Sequence, residues 1–263
     1  LAYHYFKDHG LPYVVAIRSS DVDIFLKYKP WLQSFGRKIV ENASNIIFIS
    51  PSVQKKFLKK FGHRYESKSM VLPNGINQSY FHHEVSVKKK AHTPPELLYV
   101  GSFLKRKKVP AIIRLAEITG SRLTIVGAGG DEEKKVLQMI RNSDLITYPG
   151  RIEDPSRLIR IYHKSDIFIM TSKRETFGLV YLEAMSQGLP VIYSTNTGID
   201  GLFEEGTVGY GVSPGSLTGI KEAIERILEN YQDISKNCVS EARKFTWEDI
   251  ARRYLVIYQD AIG

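Results

Sequence analysis

Seven short apolar runs punctuate this chain, and most of them stop at a glycine or a small hydroxyl residue. They are Val14–Ile17, Ile46–Ile49, Met70–Leu72, Leu97–Val100, Leu123–Val126, Ile167–Met170 and Val191–Tyr193. Each is too brief for a helix and rich in β-branched or aromatic side chains, which predicts buried strands. Amphipathic stretches lie between them. The clearest is 217–231, with Leu217, Ile220, Ile224, Ile227 and Leu228 on one face. Strand–helix alternation of this kind predicts parallel sheets covered by helices on both faces. Such sheets bind ligands outside the carboxyl ends of their strands. Gly101, Gly127, Thr171, Ser172 and Ser194 fall at those ends.

The chain has 263 residues, enough for one large or two ordinary domains. Pro73-Asn74-Gly75, a lysine run Lys88-Lys89-Lys90 and Pro94-Pro95 mark a division near its first third. Residues 1–73 and 97–242 then form two α/β units, 74–96 a linker, and 243–263 a helix returning to the first unit. No apolar run approaches the roughly 20 residues of a spanning helix. A lone cysteine, Cys238, fits a reducing cytoplasm. The first residue is Leu1 and no strand–glycine–helix unit opens the chain, which reads as a piece of something longer. A net charge of +9 argues for anionic partners. With no zinc-finger spacing and no ribonucleoprotein aromatic motif, nucleic acid is not expected.

The stretch 174–193, RETFGLVYLEAMSQGLPVIY, is the most informative. From Gly178 to Met185 its helix is apolar nearly all round, hence buried, and Glu183 is the one charge on it. A buried carboxylate is costly unless hydrogen bonds are donated to it. Ligand hydroxyls, an arginine or backbone amides would each serve. Glu175 lies eight residues earlier, roughly 12 Å along a helix axis. Between the two acids the helix start offers the amides of Phe177, Gly178 and Leu179, a ready site for phosphate. Glu175 also reads as a helix-dipole charge or first-turn cap.

Glu175-Thr176-Phe177-Gly178 through Glu183-Ala184-Met185 resembles the Glu-x7-Glu signature of retaining glycosyltransferases of family 4, which have the GT-B fold. The likeness extends along most of the chain. Pro73-Asn74-Gly75-Ile76-Asn77 with Phe81 resembles that family's interdomain segment. Tyr99-Val100-Gly101 with Lys107 resembles its phosphate loop. Ile125-Val126-Gly127-Ala128-Gly129 and Tyr148-Pro149-Gly150-Arg151-Ile152 resemble its nucleoside-side loops, and Phe245-Thr246-Trp247 with Tyr254 and Tyr258 its closing helix. The resemblance implies two doubly wound, Rossmann-like domains facing a cleft, the N-terminal one incomplete. It implies retaining transfer of a sugar from a nucleoside diphosphate sugar to an acceptor hydroxyl, in polysaccharide or glycolipid synthesis, with no metal and no further cofactor. Glu183 would hold the ribose, Glu175 the transferred sugar, Lys107 the leaving diphosphate, and the amides at Phe177, Gly178 and Leu179 the diphosphate or sugar. Ile152 would meet the base. Gly101, Ser102, Gly127 and Gly129 would line the donor site, and Arg18 the acceptor side.

Departures from the family pattern are visible. Ser102 stands where the family often has Arg, and Arg18 where it often has His. An arginine binds an acceptor phosphate or carboxylate well but is a poor base. The basic balance suits a sugar acceptor or one carried on a lipid, with peripheral contact at the inner face of a membrane. Gly127-Ala128-Gly129-Gly130 fails the dinucleotide fingerprint because residue 132 is Glu. His82-His83 lack neighbours at metal-ligand spacing and read as a surface pair. Asp21-Val22-Asp23 reads as a charge pair at a helix start. The competing functions are a nucleotide-sugar epimerase of the same fold and a nucleotide-sugar-binding module without turnover.

Overall fold

A computed structural model describes residues 1–22, 31–81 and 90–263. Asp23, His82, His83, Lys88 and Lys89, all singled out above, lie outside the described residues. Two parallel sheets are present. The first is β1 (Val14–Ile17), β2 (Asn45–Phe48) and β3 (Ser69–Val71), in that order. The second has six strands in the order β6-β5-β4-β7-β8-β9, all parallel. These are β4 (Leu97–Val100), β5 (Leu123–Val126), β6 (Ile146–Gly150), β7 (Ile167–Ile169), β8 (Val191–Ser194) and β9 (Gly209–Val212). Every apolar run lies on a strand, displaced by one residue at most at its start. Leu98, Tyr99, Phe168, Ile169 and Ile192 are fully enclosed, as expected for strands covered on both faces.

Strand order reverses at β4, which has β5 on one side and β7 on the other. The loops leaving β4 and β7 therefore diverge to opposite faces and open a crevice between them. Lys107, in the loop after β4, and Glu175, in the loop after β7, meet in that crevice.

Ten helices flank the sheets among the described residues: α1 (Ala2–His9), α2 (Leu32–Asn42), α3 (Pro51–Phe61), α4 (Val109–Thr119), α5 (Glu133–Arg141), α6 (Pro155–Lys164), α7 (Leu179–Ser186), α8 (Leu217–Glu229), α9 (Tyr231–Ala242) and α10 (Trp247–Ile262). Their starts are chemically specified. Ser50, Asp154, Ser216 and Thr246 each cap a helix by accepting from a backbone amide two or three residues on. The amphipathic stretch expected over 217–231 closes earlier, at Glu229, because Asn230 leaves helical geometry and Tyr231 begins α9.

The chain passes between the sheets twice, and the two passages touch. The amide of Ile76 donates to the Phe245 carbonyl at 2.8 Å, and Trp247 N donates to the Ile76 carbonyl at 3.4 Å. Gly75 permits this approach: a Cβ there would lie 2.6 Å from the Trp247 nitrogen.

Candidate functional site

Beyond β4 the backbone runs against the loop beyond β5. The Gly101 amide donates to the Val126 carbonyl at 2.9 Å, and the Phe103 amide to the Gly129 carbonyl at 2.6 Å. A Cβ on Gly127 would stand 2.0 Å from the Gly101 oxygen, so only glycine allows the two loops to lie this close. Tyr99 Oη donates to the Ser102 carbonyl at 2.7 Å and fixes the exit of the loop. The Gly129 amide is already engaged, donating to Glu133 Oε1 at 2.6 Å. Ile152 is half-buried just past β6, whose Gly150 carbonyl receives the Gly127 amide at 3.0 Å.

A short 3-10 turn, Lys105–Lys107, then divides a run of four cations. Lys107 turns inward and is buried, whereas Lys105 is exposed. The Lys107 ammonium contacts the Glu175 carboxylate and also lies 3.2 Å from the Met170 sulfur. Arg106 Nη1 is 3.9 Å from the same carboxylate.

Glu175 itself is held by its backbone. Its amide donates to Thr197 Oγ1 at 2.7 Å, and the same hydroxyl donates back to the Glu175 carbonyl at 2.8 Å. The Gly198 amide adds a bond to that carbonyl at 3.1 Å. Three residues on, Gly178 enters α7 with φ 85°, and a Cβ there would strike the Tyr181 ring at 2.7 Å. The first amides of α7 lack intrahelical acceptors, as at any helix start, and carry its positive end. The sequence-predicted cluster of Glu175, Phe177, Gly178, Leu179 and Lys107 thus converges at one helix start.

Glu183, on α7, is half-buried. Its partners are neither an arginine nor backbone amides but two tyrosines. Tyr162 Oη donates to Glu183 Oε2 at 3.1 Å, and the Tyr80 hydroxyl is a second donor. Burial raises the Glu183 pKa above the ordinary 4.5, and the two hydroxyls oppose that rise. The same burial, reinforced by the Glu183 charge, drives the Tyr162 phenol well above its usual range. Both hydroxyls therefore stay protonated donors.

The first sheet reaches the same place. Ser19 Oγ, just past β1, is 2.6 Å from Thr176 Oγ1, and Ser50 Oγ, past β2, donates to the Thr176 carbonyl at 3.4 Å. Arg18 is exposed, its amide donating to Asp21 Oδ2 at 2.7 Å, within electrostatic reach of Tyr254 on α10. The Asp21 carboxylate thus accepts from the residue just before the helical turn at 19–22, while Asp23, the other member of the expected pair, lies outside the described residues. Thr197, Tyr80, Tyr162 and Ser19 were not singled out by sequence. Tyr162 carried one signal: a phenol on a core-facing helix stripe needs a hydrogen-bond acceptor. Among the described residues no three His, Cys, Asp or Glu side chains converge as a metal site would require, and no helix is long and apolar enough to cross a membrane.

Known proteins share this chain's family and fold. The family model described as glycosyl transferases group 1 matches residues 82–245. N-acetyl-alpha-D-glucosaminyl L-malate synthase of Bacillus anthracis is 28% identical over 222 residues, 75% of this chain and 57% of that protein. Glycogen synthase of Mycobacterium tuberculosis is 25% identical over 231 residues, 84% of this chain and 55% of that protein. The chain thus spans little more than half the length of these curated relatives. Among solved structures, Anabaena HepE in complex with UDP superposes with a TM-score of 0.76 at 19% identity, over 98% of this chain and 75% of that one. Sucrose-phosphate synthase from Thermosynechococcus elongatus gives 0.71 at 24% identity, over 98% and 70%. At these identities the superpositions establish the shared two-domain α/β fold, GT-B.

Proposed function

The chain belongs to the glycosyl transferases group 1, and from that premise we propose that it serves transfer of a glycosyl unit from a nucleoside diphosphate sugar to an acceptor hydroxyl, with retention at the anomeric carbon. One observation carries the reading. Glu175 and Glu183 bracket the start of α7, and Lys107 rests on the first of them. A diphosphate at that helix end meets free amides and the Lys107 ammonium, while the ribose hydroxyls reach Glu183 and the sugar reaches Glu175. The main catalytic demand is stabilisation of charge on the departing diphosphate, and fixed donors in a secluded site supply it. Retention requires the acceptor oxygen to arrive on the face the diphosphate leaves. Ser19 and Arg18, across from Thr176, stand where that acceptor would enter. The HepE structures hold UDP and UDP-glucose, which makes a uridine donor the first to try. The acceptor is a sugar or a lipid-linked sugar at a membrane face, in keeping with the basic surface, and no cofactor or metal is invoked.

The test is a thermal-shift screen of UDP, GDP, ADP and CMP and their sugars, since a ligand that binds only the native state raises its stability. NMR then assigns the anomeric configuration of any product. Stabilisation by one nucleoside diphosphate sugar and a product of unchanged anomeric configuration are expected. A folded chain that none of these compounds stabilises would overturn the reading.

A further inference from the structure

The cations at 105–108 do not act as one group. Lys107 turns into the crevice, while Lys105, Arg106 and Lys108 line a separate open pocket of about 540 Å³ together with Lys173, Arg174 and Asp131. Five cations thus face one carboxylate, and that carboxylate is already engaged: Asp131 Oδ1 accepts from the Lys105 amide at 2.7 Å. Backbone bonds, not counter-charges, hold the two basic segments together. Arg106 Nη1 donates to the Arg174 carbonyl at 2.7 Å, and the Lys173 amide donates to the Arg106 carbonyl at 2.7 Å.

Several cations elsewhere on the surface are matched locally. Lys135, Lys221, Lys244 and Arg252 each have a carboxylate three or four residues away in sequence and within 4.0 Å. Lys105, Lys108, Lys173 and Arg174 have none within that distance among the described residues. Gathering unmatched like charges in a concavity costs free energy, and concave walls focus the resulting potential. A multiply charged anion removes that repulsion, and arginine forks suit phosphate oxygens. The volume falls in the range of small-molecule sites. Its concavity favours a compact ligand over a flat surface.

We propose that this pocket is a second anion site, taking a compact phosphorylated ligand with two or more phosphate charges, separate from the Lys107–Glu175 pair. It does not rest on what the crevice binds. Arg106, which lines the pocket and lies 3.9 Å from Glu175, makes the two sites neighbours through one shared wall.

Calorimetric titration of the 263-residue chain with inorganic pyrophosphate at low salt tests it. Lys105→Ala/Lys173→Ala, at two exposed positions, weakens binding by about tenfold or more, because two charge-assisted contacts are lost. Lys105→Arg/Lys173→Arg keeps affinity within about threefold, since charge is retained. Lys107→Ala removes only binding to the crevice, so a saturable pyrophosphate site persists in that variant with affinity within about threefold of the pocket's. Circular dichroism melts establish that each variant is folded, and Lys173→Gln alone, losing about threefold or more, serves if the double alanine variant is not. Loss in Lys107→Ala with none in the Lys105/Lys173 variants places pyrophosphate in the crevice and overturns the proposal. Equal small losses in every variant mean diffuse charge and overturn it too. So does binding to phosphatidylglycerol vesicles, lost in the double variant, when no saturable pyrophosphate binding is found.

Discussion

The Lys107 ammonium rests on the Glu175 carboxylate, 68 residues away in sequence, with both side chains close to enclosed at 11% and 13% exposure. Each is the other's counter-ion. On the proposed function, an incoming diphosphate would compete with Glu175 for a charge that is already placed.

Lys107→Ala should weaken a nucleoside diphosphate by about 1.5–3 kcal/mol and the free nucleoside hardly at all. Titration of both ligands against the variant measures this, and equal losses would indicate general misfolding. Because Lys107 is buried rather than on a solvated loop, raising the salt concentration should attenuate the difference only weakly.

The same pair makes a stability prediction. Removing Lys107 leaves Glu175 with Arg106 at 3.9 Å as its nearest cation. Lys107→Ala should cost about 1–3 kcal/mol of unfolding free energy, and adding Glu175→Gln should recover part of it. A denaturant double-mutant cycle reads the coupling. Strict additivity would mean the contact contributes nothing.

Glu183→Gln separates binding from folding. If the carboxylate grips ribose hydroxyls, nucleotide affinity falls by about 1.5–3 kcal/mol. Ionised Glu183 is disfavoured by burial, so the unliganded variant should melt no lower than the parent at neutral pH. A lower melting temperature with unchanged affinity would leave Glu183 a purely structural acid.

Protonation supplies a further check. With the Glu183 pKa raised above 4.5, nucleotide affinity should fall as pH drops through that raised value, earlier than for an ordinary carboxylate. Tyr162→Phe deletes a donor that favours the charged form, so the fall should move to higher pH. The stability effect has the opposite sign. The folded state holds its proton longer than the unfolded one, so this group's contribution falls as pH rises between the two pKa values. Titration of affinity against pH in the parent, Tyr162→Phe and Glu183→Gln tests all three, and an unshifted midpoint in Tyr162→Phe would contradict the hydrogen-bond argument.

In the larger sheet the strands legible in the sequence were the interior ones. β6 and β9 were missed, and they are the two edges of the larger sheet. Pro149 in β6 and Gly209 and Gly211 in β9 look like turn residues. An edge tolerates proline, and Gly209 is required because a Cβ would lie 1.9 Å from the Val191 carbonyl oxygen. The site divides the same way. Glu175, Gly178 and Glu183 share one helix start and could be read from local spacing. Thr197 on Glu175, Tyr80 and Tyr162 on Glu183, and Ser19 on Thr176 come from distant segments, and no local pattern brings them together.

Gly75→Ala tests the crossing between the sheets. Its Cβ would fall 2.6 Å from Trp247 N and 2.7 Å from Trp247 Cα, both backbone atoms that have no rotamer to yield. A loss of about 1–3 kcal/mol is expected, together with faster hydrogen exchange at the Ile76 amide. Unchanged exchange there would show that the contact is not what holds α10 in place.

The bridge between Ile76 and Thr246 also sets how the two sheets can move. Joined side by side at one spot, the two passages act as a single pin rather than two separate tethers. A turn of the halves about that pin leaves the bridge itself intact. Thr176, bonded to Ser19 and Ser50, is a second place where the halves touch. Those bonds are then a clasp at the other point of contact, and any turn of the halves about the pin must part them.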